Sequence, residues 1–259
     1  KPVDMPKLIQ SIQEMDAHFE PGEDWEYCNS GYLVLGLIVE KVSDKSYGEF
    51  LQETFFEPIG IKQTGVHKKG AEPDGEALGY SKGLLGFKRA NNWDMSLAGG
   101  AGALYSTTGD LHRWSLGIIN GKILSKESLR AAYTPATLND GTVTDYGYGW
   151  GIEDPGDLPT VMHGGGLEGF NSFLVYSSKQ KMTIVVLTNT HNAYSAEAIF
   201  FQLAAFWAKE TNPKWEVDKN LVGKNYDEFV GRYNYGGAIL VVTRKDDRLF
   251  AKLGAQPAL

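Results

Sequence analysis

The chain has 259 residues, of which 42% are hydrophobic and 22% charged, and its formal net charge is −7. These proportions are ordinary for a soluble globular protein with one large domain or two. The acidic balance argues against nucleic acid as a partner, because phosphates require a basic surface. No apolar run approaches the roughly 20 residues that a bilayer-spanning helix needs.

The first part of the chain predicts helices. Residues 30–42 predict a helix that is apolar on all sides, and such a helix belongs in a core. Asn29 or Ser30 is expected to cap its N-terminus by accepting hydrogen bonds from free backbone N–H groups. Ser46 and Glu49 have the spacing of a capping box, which predicts a second helix directly afterwards.

The middle of the chain combines irregular and helical patterns. Residues 62–98 show little periodicity and predict a long irregular segment. Residues 99–106 are rich in glycine but lack the Gly-Lys-Ser/Thr ending of a phosphate-binding loop. We therefore expect close backbone packing against a neighbouring element. Thr107 and Asp110 predict the start of a further helix, and Ser125 predicts the start of a short one.

The second half of the chain predicts β-structure. Residues 148–152, 173–176 and 183–187 are rich in β-branched and aromatic side chains, which favours strands. An amphipathic helix is predicted over 192–210, and it would lie on the sheet.

The end of the sequence predicts a hairpin, with strands over 238–243 and 248–253. A two-stranded hairpin is marginally stable alone. We therefore expect the fold to be incomplete at this end.

Two segments contain residues suited to chemistry. Tyr27-x-Asn29 lies at the mouth of the first apolar helix, where side chains can be held rigidly. From the residues alone, Tyr27 is equally a packed ring, with Asn29 a helix cap. A phenol has a pKa near 10, so it acts as a base near neutrality only when cations stabilise its phenolate.

The other segment is the run from His163 to Gly166. It is similar to the oxyanion loop of α/β-hydrolases. That interpretation requires a downstream Gly-x-Ser-x-Gly elbow, which this sequence lacks. From the residues alone, His163 is also consistent with a loop histidine whose hydrogen bonds are satisfied locally.

Together these stretches resemble the serine β-lactamase and penicillin-binding-protein superfamily. The closest resemblance is to the branch of class C β-lactamases, D-alanyl-D-alanine carboxypeptidases and esterases. The resemblance covers roughly residues 20 to 255. It rests on Trp25-x-Tyr27-x-Asn29-Ser30-Gly31-Tyr32, Phe56-x-Pro58-Ile59-Gly60, the stretch from Gly99 to Trp114, and His163-Gly164-Gly165-Gly166.

The resemblance implies an α+β fold, in which an antiparallel sheet is flanked by helices and joined by a helical subdomain. Residues 1–215 would form the β-lactamase/transpeptidase-like domain without its N-terminal part. Residues 216–259 would begin a small C-terminal β-domain, so the fold would be incomplete at both ends. Relatives are typically exported, which implies a periplasmic or secreted protein.

The resemblance also implies roles for five residues. Tyr27 would shuttle a proton between the nucleophile and the leaving group, and the Asn29 amide would help to orient the substrate. The ring of His163 would face the tyrosine. Gly165 would let the substrate lie against the strand edge, and the Gly166 N–H would form half of an oxyanion hole. No metal or cofactor is implied.

The superfamily's third signature is Ser-x-x-Lys, which supplies the nucleophilic serine. The residues before Tyr27 contain none. The single match in the sequence, from Ser178 to Lys181, falls in a predicted hairpin turn. Cys28 paired with His163 is an equally weak alternative, because position two of the Tyr-x-Asn turn varies in the family. Without the nucleophile segment, apolar surface is expected to be exposed.

The leading hypothesis is a serine acyl-transfer hydrolase acting on β-lactams, D-alanyl peptides or small esters, here as a fragment without its nucleophile. A second polypeptide, or a homo-oligomer, would complete the fold. The alternative hypothesis is a non-catalytic binding or scaffold protein on the same fold. Both predict a small-molecule or peptide ligand.

Overall fold

A computed structural model describes residues 4–91, 93–153, 156, 159–191, 195–211, 226–235, 238–246 and 248–253. The chain divides into two compact units, residues 1–204 and 205–259. Within the described residues, no helix is both long enough and apolar enough to cross a membrane.

The α-helices follow the predicted N-terminal signals closely. The capping box of Ser46 and Glu49 is present, and the side chains of Thr107 and Ser125 each cap a helix as predicted. The helices are α1 (Met5–Gln13), α2 (Asn29–Ser43), α3 (Tyr47–Leu51), α4 (Thr108–Ile119), α5 (Lys126–Ala132) and α6 (Ala196–Thr211).

The strands form several sheets, of which the largest is antiparallel with the order β5-β6-β7-β8. The α+β prediction with an antiparallel sheet is thereby confirmed. The strands are β1 (Gly65–Val66), β2 (Tyr80–Gly83), β3 (Gly86–Arg89), β4 (Leu104–Tyr105), β5 (Gly151–Glu153), β6 (Thr160–Leu167), β7 (Phe170–Ser177), β8 (Met182–Thr188), β9 (Thr190–His191), β10 (Gly231–Tyr235), β11 (Ala238–Lys245) and β12 (Arg248–Leu253).

Both faces of the main sheet are covered by other elements. Successive side chains of a strand point to opposite faces, so β7 contributes to both clusters. On one face Phe173 and Val175 of β7 pack with Phe200 of α6, as the amphipathic pattern predicted. The other face buries Val161 and Tyr176, against which Ile119, Tyr133 and Trp150 pack. The sheet is therefore held rigidly between helices, and β6 is fixed with it.

The segment 62–98 differs from its prediction, because it contains the β2–β3 hairpin. β2 also pairs in parallel with β9, through Tyr80 with Thr190 and Ser81 with His191. This pairing joins residues more than a hundred positions apart. Local periodicity does not reveal such a partner, which is why the irregular prediction was wrong here.

The prediction for helix α2 was wrong in two respects. Its N-cap is Cys28, which makes no side-chain capping bond, and Asn29 already lies inside the helix. The helix is also not buried on all sides, since Leu35, Ile38 and Val42 are 53%, 50% and 81% exposed. An apolar pattern shows what a helix prefers to bury, but it does not show that a partner is present among the described residues.

The glycine-rich stretch at 99–106 packs closely against α2, as predicted. A Cβ atom on Gly36 would lie 3.0 Å from the backbone nitrogen of Gly100. A Cβ atom on Gly100 would lie 2.5 Å from the carbonyl oxygen of Tyr32. Two backbones meet here without side chains between them, and this contact fixes the first turns of α2 below Tyr27.

The unit at residues 205–259 contains three strands in the order β10-β11-β12. The predicted hairpin corresponds to β11 and β12, but the prediction missed β10, which pairs with β11 from Gly231 to Tyr235. The Arg244 guanidinium bonds the Asp227 carboxylate at 3.1 Å, which joins the sheet to the turn that precedes it.

Candidate active site

Tyr27 and Asn29 lie at the N-terminus of α2, where an extended residue, Cys28, turns the chain into the helix. The Tyr27 hydroxyl donates a hydrogen bond to Asn29 Oδ1 at 3.1 Å. Tyr27 is 49% exposed, so its hydroxyl is accessible to a ligand. The two predicted residues therefore form one polar pair on the protein surface.

His163 lies in the middle of β6, and the structure brings it beside Tyr27. The two ring centroids are 6.0 Å apart. The ring nitrogens of His163 are bonded elsewhere, however. Nδ1 lies 2.6 Å from the carbonyl oxygen of Gly164, and Nε2 lies 2.8 Å from the hydroxyl of Tyr146.

The edge of β6 that faces β5 has no described neighbouring strand from His163 onward. The Ser178 N–H donates to the Pro159 carbonyl across the β6–β7 pair at 3.0 Å. In an antiparallel strand every second residue points its backbone N–H and C=O toward a given neighbour. Pro159 points toward β7, so odd-numbered residues of β6 do so too, and the N–H groups of Gly164 and Gly166 point away from β7. β5 pairs with β6 only as far as Met162. The Gly166 N–H therefore faces an edge that no described strand covers.

Gly165 lies on the same face of β6 as His163, two residues away. A Cβ atom at Gly165 would collide with the hydroxyl of Ser172, its partner on β7. A side chain at this position would therefore require the Ser172 hydroxyl to rotate away. Ser172 is a residue at the site that the sequence analysis missed.

Tyr146 was also missed, although it has more contacts at the site than any predicted residue. Its ring stacks on Trp25 at 5.4 Å, with an angle of 19° between the planes. It meets Tyr27 edge-on at 6.1 Å and the His163 ring at 6.0 Å. The one sequence signal was the aromatic and glycine run from Tyr146 to Trp150, which was interpreted only as a strand.

The phenols of Tyr32 and Tyr146 are held in their neutral form. Burial, together with the nearby phenols of Tyr32 and Tyr27, raises the pKa of Tyr146 well above its ordinary value. Burial and the neighbouring Tyr27 also raise the pKa of Tyr32, and hydrogen bonds with Tyr146 and the Gly149 backbone partly offset this rise. Tyr32 and Tyr146 are therefore hydrogen-bonding groups and not bases.

The two weak candidates for a nucleophile do not join the site. Ser178 follows β7 in the turn before β8, and its side chain bonds Tyr176. The cross-strand partner of His163 is Leu174. Ser178 lies four residues further along the chain, a separation of about 13 Å from Leu174 in an extended strand. Cys28 is exposed, and no contact joins it to His163 among the described bonds.

The fold and this pairing of a Tyr-x-Asn turn with a His-Gly strand define a protein of the serine β-lactamase and penicillin-binding-protein superfamily. The family model described as Beta-lactamase matches residues 1–205. The chain therefore belongs to the beta-lactamase family.

Individual relatives agree with this assignment. Penicillin-binding protein 4* of Bacillus subtilis is 29% identical over 93% of this chain, but the match spans only 58% of that relative. The octameric penicillin-binding protein homologue of Pyrococcus abyssi has a TM-score of 0.67 and is 26% identical, covering 98% of this chain and 59% of that one. A penicillin-binding protein of Bacillus halodurans has a TM-score of 0.66 at 22% identity, over 78% of this chain and 62% of that one.

Proposed function

We propose that residues 27–29 and 163–166 form the acyl-transfer site of a serine hydrolase of the β-lactamase and penicillin-binding-protein type. The observation that supports this most directly is the convergence of Tyr27, Asn29 and His163 beside the open edge of β6. These residues come from segments more than a hundred positions apart, and they meet at a surface that a substrate can reach.

Each residue has a specific task in the proposed reaction. A serine oxygen attacks the substrate carbonyl, and Tyr27 takes the serine proton and passes it to the leaving group. Asn29 fixes the Tyr27 hydroxyl and orients the substrate. The Gly166 N–H donates to the oxyanion that forms on the carbonyl oxygen. Water then cleaves the serine ester in a second step.

The nucleophile in this proposal comes from outside residues 1–259. Ser178, in the single Ser-x-x-Lys sequence of the chain, lies four residues along the chain from Leu174, the partner of His163, so we do not assign it as the nucleophile. The same segment would bring the lysine that a phenol needs beside it to act as a base. The Tyr27 hydroxyl has Asn29 as its described hydrogen-bond partner, and an amide does not supply that charge.

The proposed substrates are β-lactams, D-alanyl peptides or small esters, each of which presents a carbonyl to the serine. The test is hydrolysis of one compound from each class by the full-length protein that contains this chain. Replacing Tyr27 with phenylalanine should lower kcat/KM by about 10²- to 10⁴-fold, the usual contribution of a general acid-base group.

Tyr148→Phe is the matched control, because it removes the same hydroxyl from a 73% exposed tyrosine whose side chain has no described bond to Tyr27, Asn29 or His163. Its activity should equal that of the wild type. Undiminished activity of Tyr27→Phe would refute the proposed role. Saturable binding of these compounds without turnover would favour the non-catalytic binding protein instead.

A further inference from the structure

The hydrogen bonds of His163 determine where its protons are. Nδ1 lies 2.6 Å from the Gly164 carbonyl oxygen, which can only accept. Nδ1 therefore carries a proton. In the neutral ring this leaves Nε2 as an acceptor, and its partner at 2.8 Å is the Tyr146 hydroxyl. The Tyr146 hydroxyl thus donates to the neutral imidazole.

A hydroxyl also suits the charged ring. When Nε2 carries a proton it donates, and the Tyr146 oxygen accepts while its own proton turns to Tyr32, to which it is hydrogen-bonded. The Tyr32 and Tyr146 hydroxyls therefore reverse their donor direction with the state of His163. A carboxylate at this position would only accept, and it would satisfy the charged state alone.

Tyr146 is itself held in place from several directions. Its ring stacks on Trp25. Its carbonyl accepts from the Ala136 N–H at 3.0 Å, and its own N–H donates to the Thr144 hydroxyl at 3.3 Å. A side chain fixed in this way can impose an orientation on the group that it bonds.

We propose that Tyr146 is the positioning residue of His163: its hydroxyl, supported by Tyr32, fixes the imidazole ring, holds Nε2 as an acceptor and, together with the Gly164 carbonyl, sets the tautomer. The inference rests on the proposed function in treating His163 as part of the site.

The test is ¹⁵N NMR of the histidine rings in this chain, in alkaline buffer where the imidazoles are neutral. The chain has five histidines. The ring resonances that are present in the wild type and missing from His163→Gln belong to His163. In the wild type we expect a protonated Nδ1 and an unprotonated Nε2. Tyr146→Phe should move the Nε2 resonance toward its protonated position, because only the Gly164 carbonyl then selects the tautomer and the form with its proton on Nε2 gains population.

Tyr148→Phe should leave both ring resonances at their wild-type positions, and Tyr32→Phe should shift Nε2 less than Tyr146→Phe does. Backbone amide spectra report whether each variant is folded. A wild-type His163 with its proton on Nε2, or unchanged resonances in a folded Tyr146→Phe, would overturn the proposal. The tautomer is measured without turnover, so a failure of the proposed hydrolase activity would be seen separately.

Discussion

Asp110 is an ion almost fully enclosed by the protein, with 1% of its surface exposed. Its carboxylate accepts from the backbone N–H groups of Lys62 and Gln63 and from the Thr64 hydroxyl, and it pairs with Arg113 at 2.9 Å. Burial alone would raise the pKa of this carboxyl, but these hydrogen bonds outweigh burial and hold it below its usual range. One side chain thus holds the segment before β1 against α4.

Asp110→Asn should lower the free energy of unfolding by about 2–4 kcal/mol. Asparagine keeps one acceptor oxygen for the N–H donors, but it has no charge for Arg113 and turns an NH2 group toward that guanidinium. The ionised carboxylate stabilises the fold above the unfolded-state pKa of about 3.9. This contribution is lost as the pH falls through the lower folded-state pKa. Urea unfolding should therefore show a difference between wild type and variant that shrinks on acidification.

Arg113→Ala is the matched control for Asp110. Its guanidinium side chain is 54% exposed, so its loss should cost about 1 kcal/mol or less. If the difference in unfolding free energy between wild type and Asp110→Asn grew with acidification, the ionised Asp110 carboxylate would not be the stabilising form.

The sequence pointed to single residues where a motif carried them, and the catalytic roles of these residues stay predictions. Tyr27, Asn29 and His163 were predicted in this way, and the structure brings all three together. Tyr146 and Ser172 were not predicted, because their roles arise from contacts across the fold. The Tyr146 hydroxyl meets a ring 17 residues away, and the Ser172 hydroxyl lies over Gly165 from the next strand.

Helix α2 is the element on which the Tyr27 turn depends. Its close contact with residues 99–101 requires glycine on both sides, because a Cβ atom on Gly36 would press on the backbone of Gly100. Gly31 lies in the same helix, but a Cβ atom there would have no heavy atom within 4 Å. The two glycines therefore differ in packing and share the same helical conformation.

Gly36→Ala should lower the free energy of unfolding by about 1–3 kcal/mol through overpacking. Gly31→Ala should raise it by up to about 1 kcal/mol, because alanine favours a helix more than glycine does. Thermal or urea unfolding of the two variants gives the comparison. Equal effects at both positions would mean that the α2 contact is not tight.

The elements predicted best were those with local signals. The capped helices and the strands of residues 173–187 have caps, turns and periodicity that act within a few residues. The hairpin of β2 and β3 and the strand β10 were missed because their stability comes from partner strands. The outward face of α2 was misjudged for a related reason, since burial depends on what lies opposite.

On the scale of the whole molecule, three exposed side chains of α2 form an apolar stripe: Leu35, Ile38 and Val42. They are spaced three and four residues apart, which places them on one helix face. Exposed apolar stripes in soluble proteins mark contact surfaces. The chain spans 58% of the length of Penicillin-binding protein 4*.

We expect this chain alone to self-associate through that stripe. Light scattering or sedimentation should give a mass that rises with concentration. Leu35→Gln combined with Ile38→Gln should abolish the rise, while changing the unfolding free energy by about 0.5 kcal/mol or less, as for surface sites. Leu84→Gln with Leu85→Gln, at another exposed apolar site, is the control and should retain it. An unchanged rise in the α2 variant would contradict the prediction.

The most direct measurement is labelling of the full-length protein and of this chain alone with a fluorescent penicillin and a fluorophosphonate, followed by intact mass and peptide mapping. The account predicts an adduct on a serine outside residues 1–259, formed about 10²-fold or more slowly in Tyr27→Phe. It predicts no adduct on this chain alone. An adduct on Ser178 or any other serine of this chain, or a rate that Tyr27→Phe leaves unchanged, would contradict it.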